Sequence, residues 1–206
     1  LRGQSLLMTR PLEFLAMLPL GIGFWVIFEL YNLLIKNWYY IDHPRETLPK
    51  LLGFGISWAT VILIVFETTY LLEAVGLFSR LRAKPRGAGR GSLIASTAFG
   101  AGCLILPALF PSPYLFAPVW VGFFFLLDPL NYWLGGASLF RDLEEGRLQR
   151  TLCLMAAGII TGFLWEFWNY WAGARWVYTV PITAGIRIFA MPIAGYLGFI
   201  PFAIEL

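Results

Sequence analysis

The chain is 206 residues long, 59% hydrophobic and only 13% charged, with a mean hydropathy of +0.71 and a formal net charge of +3. Ordinary soluble domains carry about 25% charged residues; a hydrophobic core alone does not demand so few, whereas a lipid-facing surface does. The basic residues stand in short gaps between apolar runs, which argues against a nucleic-acid-binding surface and matches topogenic charge.

A helix that crosses a bilayer needs about 20 mostly apolar residues. Six stretches qualify: 12–35, 51–79, 93–111, 114–135, 151–172 and 185–206. The expected fold is therefore all-α, a polytopic membrane helix bundle of six transmembrane helices in a single domain. The first run is long and no small-residue cleavage site follows it, so it reads as a span and not as a cleaved leader. The gap at 80–92 carries five basic residues and no acid, and only Pro111-Ser112-Pro113 separates the third and fourth spans, which predicts a tight antiparallel hairpin. The sixth span, with Pro192, Gly195, Gly198 and Pro201, is predicted to be one kinked helix. It stops at Ile204-Glu205-Leu206 without a polar flank and the chain opens at Leu1, so the chain reads as a piece of a longer protein and six as a minimum.

Lys and Arg set the expected orientation. One side collects Arg2, Arg10, Arg80, Arg82, Lys84, Arg86, Arg90, Arg141, Arg147 and Arg150; the other collects Lys36, Arg45, Lys50, Arg175 and Arg187. The richer side reads as cytoplasmic, which puts the N-terminus there, in a membrane of the bacterial inner (cytoplasmic) type. Cys103 and Cys153 fall inside spans without ligand-type spacing and read as small buried hydrophobes. His43 is the single histidine, so a haem held by two histidines of this chain is excluded; Asp42 and His43 read as a solvated loop, with no metal site expected.

The informative residues are acids inside the spans: Glu29, Glu67, Glu73, Asp128, Glu166 and Glu205. A charge near the bilayer centre costs at least about 2.5–3.5 kcal/mol, so such groups face protein or a cavity. Glu73 reads as interfacial. Three of the four asparagines stand three residues after an acid: Glu29/Asn32, Asp128/Asn131 and Glu166/Asn169. Chance would produce this on the order of once in a thousand. Residues i and i+3 share a helix face, so each pair can serve one common partner. Glu67 has Tyr70 at the same offset.

Two spacings suggest internal repetition. A shift of 99 residues places Glu29 on Asp128, Asn32 on Asn131 and Glu67 on Glu166; three spans separate each pair, so halves 1–92 and 93–206 would form an inverted 3+3 repeat. A shift of 137 places Glu29/Asn32 on Glu166/Asn169 and, after one inserted residue, Trp38-Tyr39-Tyr40 on Trp176-Val177-Tyr178, with orientation kept. Both relations fit the expected topology. Trp165, Trp168 and Trp171 recur at i+3 around Glu166, while Trp38, Tyr39, Tyr40, Trp176 and Tyr178 read as an interfacial aromatic belt. A carboxylate ringed by indoles suits a cation, or a carbocation formed on a polyene. The same acid–Asn pairs also serve as interhelical glue, worth about 0.6 kcal/mol each.

The stretch Trp165-Glu166-Phe167-Trp168, then Trp176-Val177-Tyr178-Thr179-Val180-Pro181, then Gly185-Ile186-Arg187-Ile188-Phe189-Ala190-Met191-Pro192-Ile193, resembles the lycopene cyclase domain family. With a fainter echo at 28–40 it covers about a fifth of the chain. The resemblance implies three-helix units, an acid near a helix end and an isoprenoid ligand, with Arg187 placed to orient a carboxylate or a lipid head group. The family's paired glutamates fall here on Ala194 and Gly195, so the resemblance carries the fold and not the cyclase activity.

Three functions fit these residues. The first is an intramembrane site for an isoprenoid lipid, such as a carotenoid or a quinone, with Glu166, Glu29, Asp128 or Glu67 as proton donor or acceptor and Asn169, Asn32, Asn131, Tyr70, Trp165, Trp168, Trp171 and Arg187 around it. The second is a non-catalytic accessory subunit that packs among membrane lipids and other subunits of a membrane complex. The third is a proton- or cation-coupled transporter that uses the same acids.

Overall fold

The computed structural model describes residues 5–181 and 185–206; Arg2, counted above among the topogenic charges, lies outside them. In chain order the elements are α1 (Leu6–Thr9), α2 (Pro11–Ile35), β1 (Trp38–Ile41), α3 (Thr47–Ala74), α4 (Arg90–Leu109), a 3-10 turn (Pro113–Leu115), α5 (Phe116–Trp133), α6 (Leu139–Glu144), α7 (Gln149–Trp171), β2 (Arg175–Tyr178), β3 (Arg187–Ile188), β4 (Met191–Pro192), α8 (Ile193–Tyr196) and α9 (Phe199–Glu205). Five helical segments are long and apolar enough to cross a membrane: Pro11–Ile35, Thr47–Ala74, Arg90–Leu109, Pro113–Trp133 and Gln149–Trp171.

The sixth expected span is not one helix. Residues 187–192 form a small antiparallel hairpin that turns through Phe189, which sits in the left-handed region with φ 56°. The remaining apolar stretch, Ile193–Glu205, is broken into α8 and α9. At 1.5 Å per residue it reaches about 20 Å, short of a hydrocarbon core of about 30 Å. The reason is local. Pro192 lacks an N–H and holds Met191 in an extended conformation, while Pro201 is tolerated only because it falls in the first turn of α9. The chain is mostly helical, as expected, and departs from helix in two short two-stranded ladders. Strands β1 and β2, 137 residues apart, pair antiparallel with Trp38 opposite Tyr178 and Tyr40 opposite Trp176.

Connectivity sends α2, α4 and α7 in one direction and α3 and α5 in the other. The ladder β1–β2, the α4–α5 turn and the start of α3 therefore share one end of the bundle. Asn37 ties that end together: its Nδ2 donates to the carbonyl of Pro113 at 3.0 Å, and its own carbonyl accepts from the N–H of Thr179 at 2.8 Å. The opposite end holds the 75–89 loop and α6, where Ala83 N–H donates to the carbonyl of Gly146 and Asp142 pairs with Arg147 and Arg150.

Small residues set the closest approaches. A Cβ at Gly100 of α4 would meet Gly122 O of α5 at 2.7 Å, so the α4–α5 hairpin closes backbone to backbone. A Cβ at Gly158 of α7 would overlap the carbonyl of Phe199 and meet Ala203 Cβ at 2.8 Å, which is why so short a helix as α9 lodges against α7. Phe202 is completely buried and meets the rings of Phe24, Trp25, Phe28, Trp120 and Trp165. Large apolar side chains such as Leu12, Leu20, Leu33 and Leu48 stand exposed, as a lipid-facing surface requires.

Candidate functional site

Glu29 lies six residues before the end of α2, and three donors converge on its Oε1. Trp25, one turn back, donates Nε1–H at 2.9 Å; Trp38 donates Nε1–H at 3.1 Å; the hydroxyl of Tyr40 donates at 2.5 Å. Asn32 does separate work on the same face. Its Oδ1 accepts from the N–H groups of Asn37 at 2.8 Å and Trp38 at 3.1 Å, and its Nδ2 donates to the carbonyl of Trp38 at 2.8 Å. The carboxamide thus behaves like a neighbouring strand residue and fixes where β1 begins. The turn between them is reversed by Lys36, which closes α2 in the left-handed conformation with φ 54°. The acid holds the rings and the asparagine holds the backbone.

The same device recurs at the end of α7. Tyr178 donates its hydroxyl to Glu166 Oε1 at 2.6 Å and Trp176 donates Nε1–H to the same oxygen at 3.4 Å and to the Tyr178 hydroxyl at 2.8 Å. Asn169 Oδ1 accepts from the N–H of Trp176 at 2.9 Å and Nδ2 donates to its carbonyl at 3.0 Å. Glu166 is wholly buried, and its Oε2 has no hydrogen-bond partner among the described residues. Residues i and i+2 of a strand share a face, so Trp38, Tyr40, Trp176 and Tyr178 form a two-by-two block on one face of the ladder. The helix ends and strands joined by the 137-residue shift thus make matching hydrogen bonds and pair with each other.

Both phenols in this block are held neutral. Burial pushes the Tyr40 hydroxyl above its ordinary value, and its hydrogen bond to Glu29 and that carboxylate's charge add to the shift. Burial pushes Tyr178 well up, with the Glu166 carboxylate adding to it. A phenol that keeps its proton stays a donor, so the clamps persist across the neutral range.

Beneath the ladder lies a cavity of about 910 Å³. Trp25, Trp38, Tyr40, Trp176 and Tyr178 form one wall; Phe54 and Trp58 of α3, Trp120 of α5 and Phe202 of α9 form much of the rest. Neither Glu29 nor Glu166 reaches it. The carboxylates stand behind the aromatic wall and orient it, while among the described residues no acidic side chain lines the space itself. A chamber of this size and lining has room for an apolar molecule.

The other residues singled out in the sequence divide cleanly. Trp165 and Trp168 line the cavity; Trp171 is 70% exposed and does not. Arg187 is exposed on β3 and lies outside the lining. Asp128 caps α6, accepting from Ser138 Oγ at 2.9 Å and from the N–H groups of Leu139 and Phe140 at 2.8 and 2.9 Å. Asn131, three residues on, is exposed. Glu67 accepts from Leu7 N–H at 3.3 Å and the Tyr70 hydroxyl accepts from Arg10 at 3.4 Å, so this pair anchors the N-terminal segment. Positions related by the 99-residue shift therefore occupy unlike environments, at both ends of the bundle. Glu205 is buried with neither carboxylate oxygen paired among the described residues, and Cys103 and Cys153 are buried free thiols.

Sequence reasoning assigned Trp38, Tyr40, Trp176 and Tyr178 to an interfacial belt, whereas the structure turns them inward onto the two glutamates. The 137-residue match was the signal for this. Phe54, Trp58, Trp120 and Phe202 carried no motif. The chain matches no protein-family model, no curated protein and no solved structure.

Proposed function

We propose that this chain is an integral membrane protein that binds an elongated apolar lipid of the isoprenoid class in the chamber under the β1–β2 ladder. The observation that carries the reading is the aromatic wall itself: four rings of the ladder held in one orientation by two carboxylates that do not enter the cavity. Rigid rings at fixed positions bury apolar surface without losing side-chain freedom on binding, which is how a preformed site gains affinity. The resemblance of 165–193 to the lycopene cyclase domain family favours the isoprenoid class among apolar lipids. Binding, not turnover, is what this geometry supports, because each glutamate is separated from the chamber by the residues it holds.

In this reading the 80–92 loop and α6 face the cytoplasm, since nine Lys and Arg of the described residues lie at that end (Arg10, Arg80, Arg82, Lys84, Arg86, Arg90, Arg141, Arg147 and Arg150) against five at the ladder end. Membrane-impermeant labelling of a cysteine introduced at Ser79 should occur only from the cytoplasmic side; labelling from outside would reverse the assignment. Organic extraction of the purified protein followed by mass spectrometry should recover about one apolar chain lipid per protein. Absence of any such lipid, together with no binding of added geranylgeraniol, would refute the lipid-binding reading.

A further inference from the structure

We infer that the ligand of this chamber is an amphiphile with an anionic head group, a phosphate or carboxylate on an isoprenoid tail; this rests on the lipid-binding reading above. The lining is not uniform. Deep in the cavity are Trp120, Val61, Ile64 and Phe202, all apolar. At the ladder end the same lining includes Lys50, Arg175 and His43. Among the described residues no Asp or Glu belongs to it, so the charges seen to face the space are of one sign.

The placement of these cations is specific. Arg175 opens β2 opposite Ile41, and Lys50 is half-buried on the first turn of α3. Neither side chain makes an ion pair or a side-chain hydrogen bond among the described residues, although Asp42 and Glu46 lie close by in sequence. At the other end of the molecule Arg147 and Arg150 pair with Asp142, while Arg80, Arg82, Arg86 and Arg90 make no ion pair among the described residues; what sets Lys50 and Arg175 apart is that they line the apolar cavity. An apolar chamber with two unmatched cations on its rim is complementary to a single-tailed anion whose head stays at the membrane surface. It is not complementary to a cation, because among the described residues no carboxylate lines it and Glu29 and Glu166 are engaged by the rings that bind them.

The test compares tritiated geranylgeranyl monophosphate with tritiated geranylgeraniol for equilibrium binding to the purified protein in neutral detergent. The phosphate ester is expected to bind at least about tenfold more tightly, the scale of charge-assisted contacts. The double substitution Lys50→Gln with Arg175→Gln should remove that preference and leave the alcohol's affinity unchanged. Arg187→Gln, which removes a cation outside the lining, should alter neither, and Lys50→Arg with Arg175→Lys should retain the preference. Equal binding of ester and alcohol to the unaltered protein would overturn the head-group assignment while leaving lipid binding standing. Displacement of the ester by inorganic phosphate alone, or an equal loss with Arg187→Gln, would also overturn it, pointing to free-anion or general surface attraction. Failure of both lipids to bind would overturn the lipid reading itself.

Discussion

Replacing Asn169 by alanine isolates the part of the clamp that holds backbone. The side chain is 2% exposed and makes two bonds to Trp176, at 2.9 Å from its N–H and 3.0 Å to its carbonyl. Removing it strips one strand residue of both partners on that side. A net contribution of about 0.5–1.5 kcal/mol per bond, rising to about 1–3 kcal/mol for each group left buried and unpaired, gives a loss of about 2–4 kcal/mol. Trp176 is only half-buried and its freed groups regain some water, which keeps the figure below the upper limit. For a chain of this size, each kcal/mol moves the midpoint by about 2–4 °C, so Asn169→Ala should lower the unfolding temperature by roughly 4–16 °C. Cys103 and Cys153 supply a built-in reporter, since both are free and buried: a thiol-reactive fluorophore reads their exposure on heating. Asn32→Ala should cost at least as much, because it severs three bonds. Asn131→Ala, at an exposed position, should be nearly neutral. A loss at Asn131 equal to that at Asn169, or no measurable loss at Asn169, would refute the reasoning that these carboxamides act as strand surrogates.

Tyr178→Phe should destabilise more than Tyr40→Phe by the same thermal assay. It leaves buried Glu166 with only the 3.4 Å contact to Trp176, whereas Glu29 keeps Trp25 and Trp38. Asp128→Ala should cost about 2–3 kcal/mol by removing three bonds at the start of α6, yet leave the affinity for geranylgeraniol unchanged, since Asp128 does not line the cavity; a fall in affinity without unfolding would contradict its capping role. Gly158→Leu should prevent α9 from seating on α7 and lower stability by about 1–3 kcal/mol or more, with an equal effect at exposed Gly53 counting against close packing as the cause. The tyrosine clamps also define an alkaline limit. Because Tyr40 and Tyr178 are raised in the folded state, their contribution is fully present below the unfolded value of about 10 and is lost as pH rises through the folded values. Tyrosinate absorbance should show both phenols titrating late, together with unfolding, and ordinary titration of every tyrosine in the folded protein would contradict the clamp geometry.

Much of the fold was legible because hydropathy reports a physical requirement: a backbone in lipid must satisfy its own hydrogen bonds, so long apolar runs become helices. The first five spans follow from that rule within a few residues. The last stretch departs from it. Ile193–Glu205 is apolar like the others, but Pro192 stops helix on its N-terminal side, it breaks between α8 and α9 at Leu197-Gly198, and the interior of the bundle supplies partners that lipid does not. The acid–Asn offset was also legible. It identified which residues share a helix face, and at Glu29/Asn32 and Glu166/Asn169 both members do act on one partner strand. At Asp128/Asn131 the same offset meets different surroundings, and only the acid is engaged.

Sequence alone determined that the chain is mostly helical, the positions of five of the six expected spans and the acids that lie within them. Those properties depend on composition and on period along a single helix, which any reader of the chain can count. Tertiary structure decided which acids belong together, that four belt-like aromatics turn inward, and that a chamber lies beneath them. The deciding contact is the β1–β2 ladder, formed by strands of four residues each, 137 positions apart. Segments so short have no periodicity strong enough to announce themselves. Two asparagine side chains near the ends of α2 and α7 hold the strands, so the pairing exists only once α3, packed against both helices, has brought those ends together.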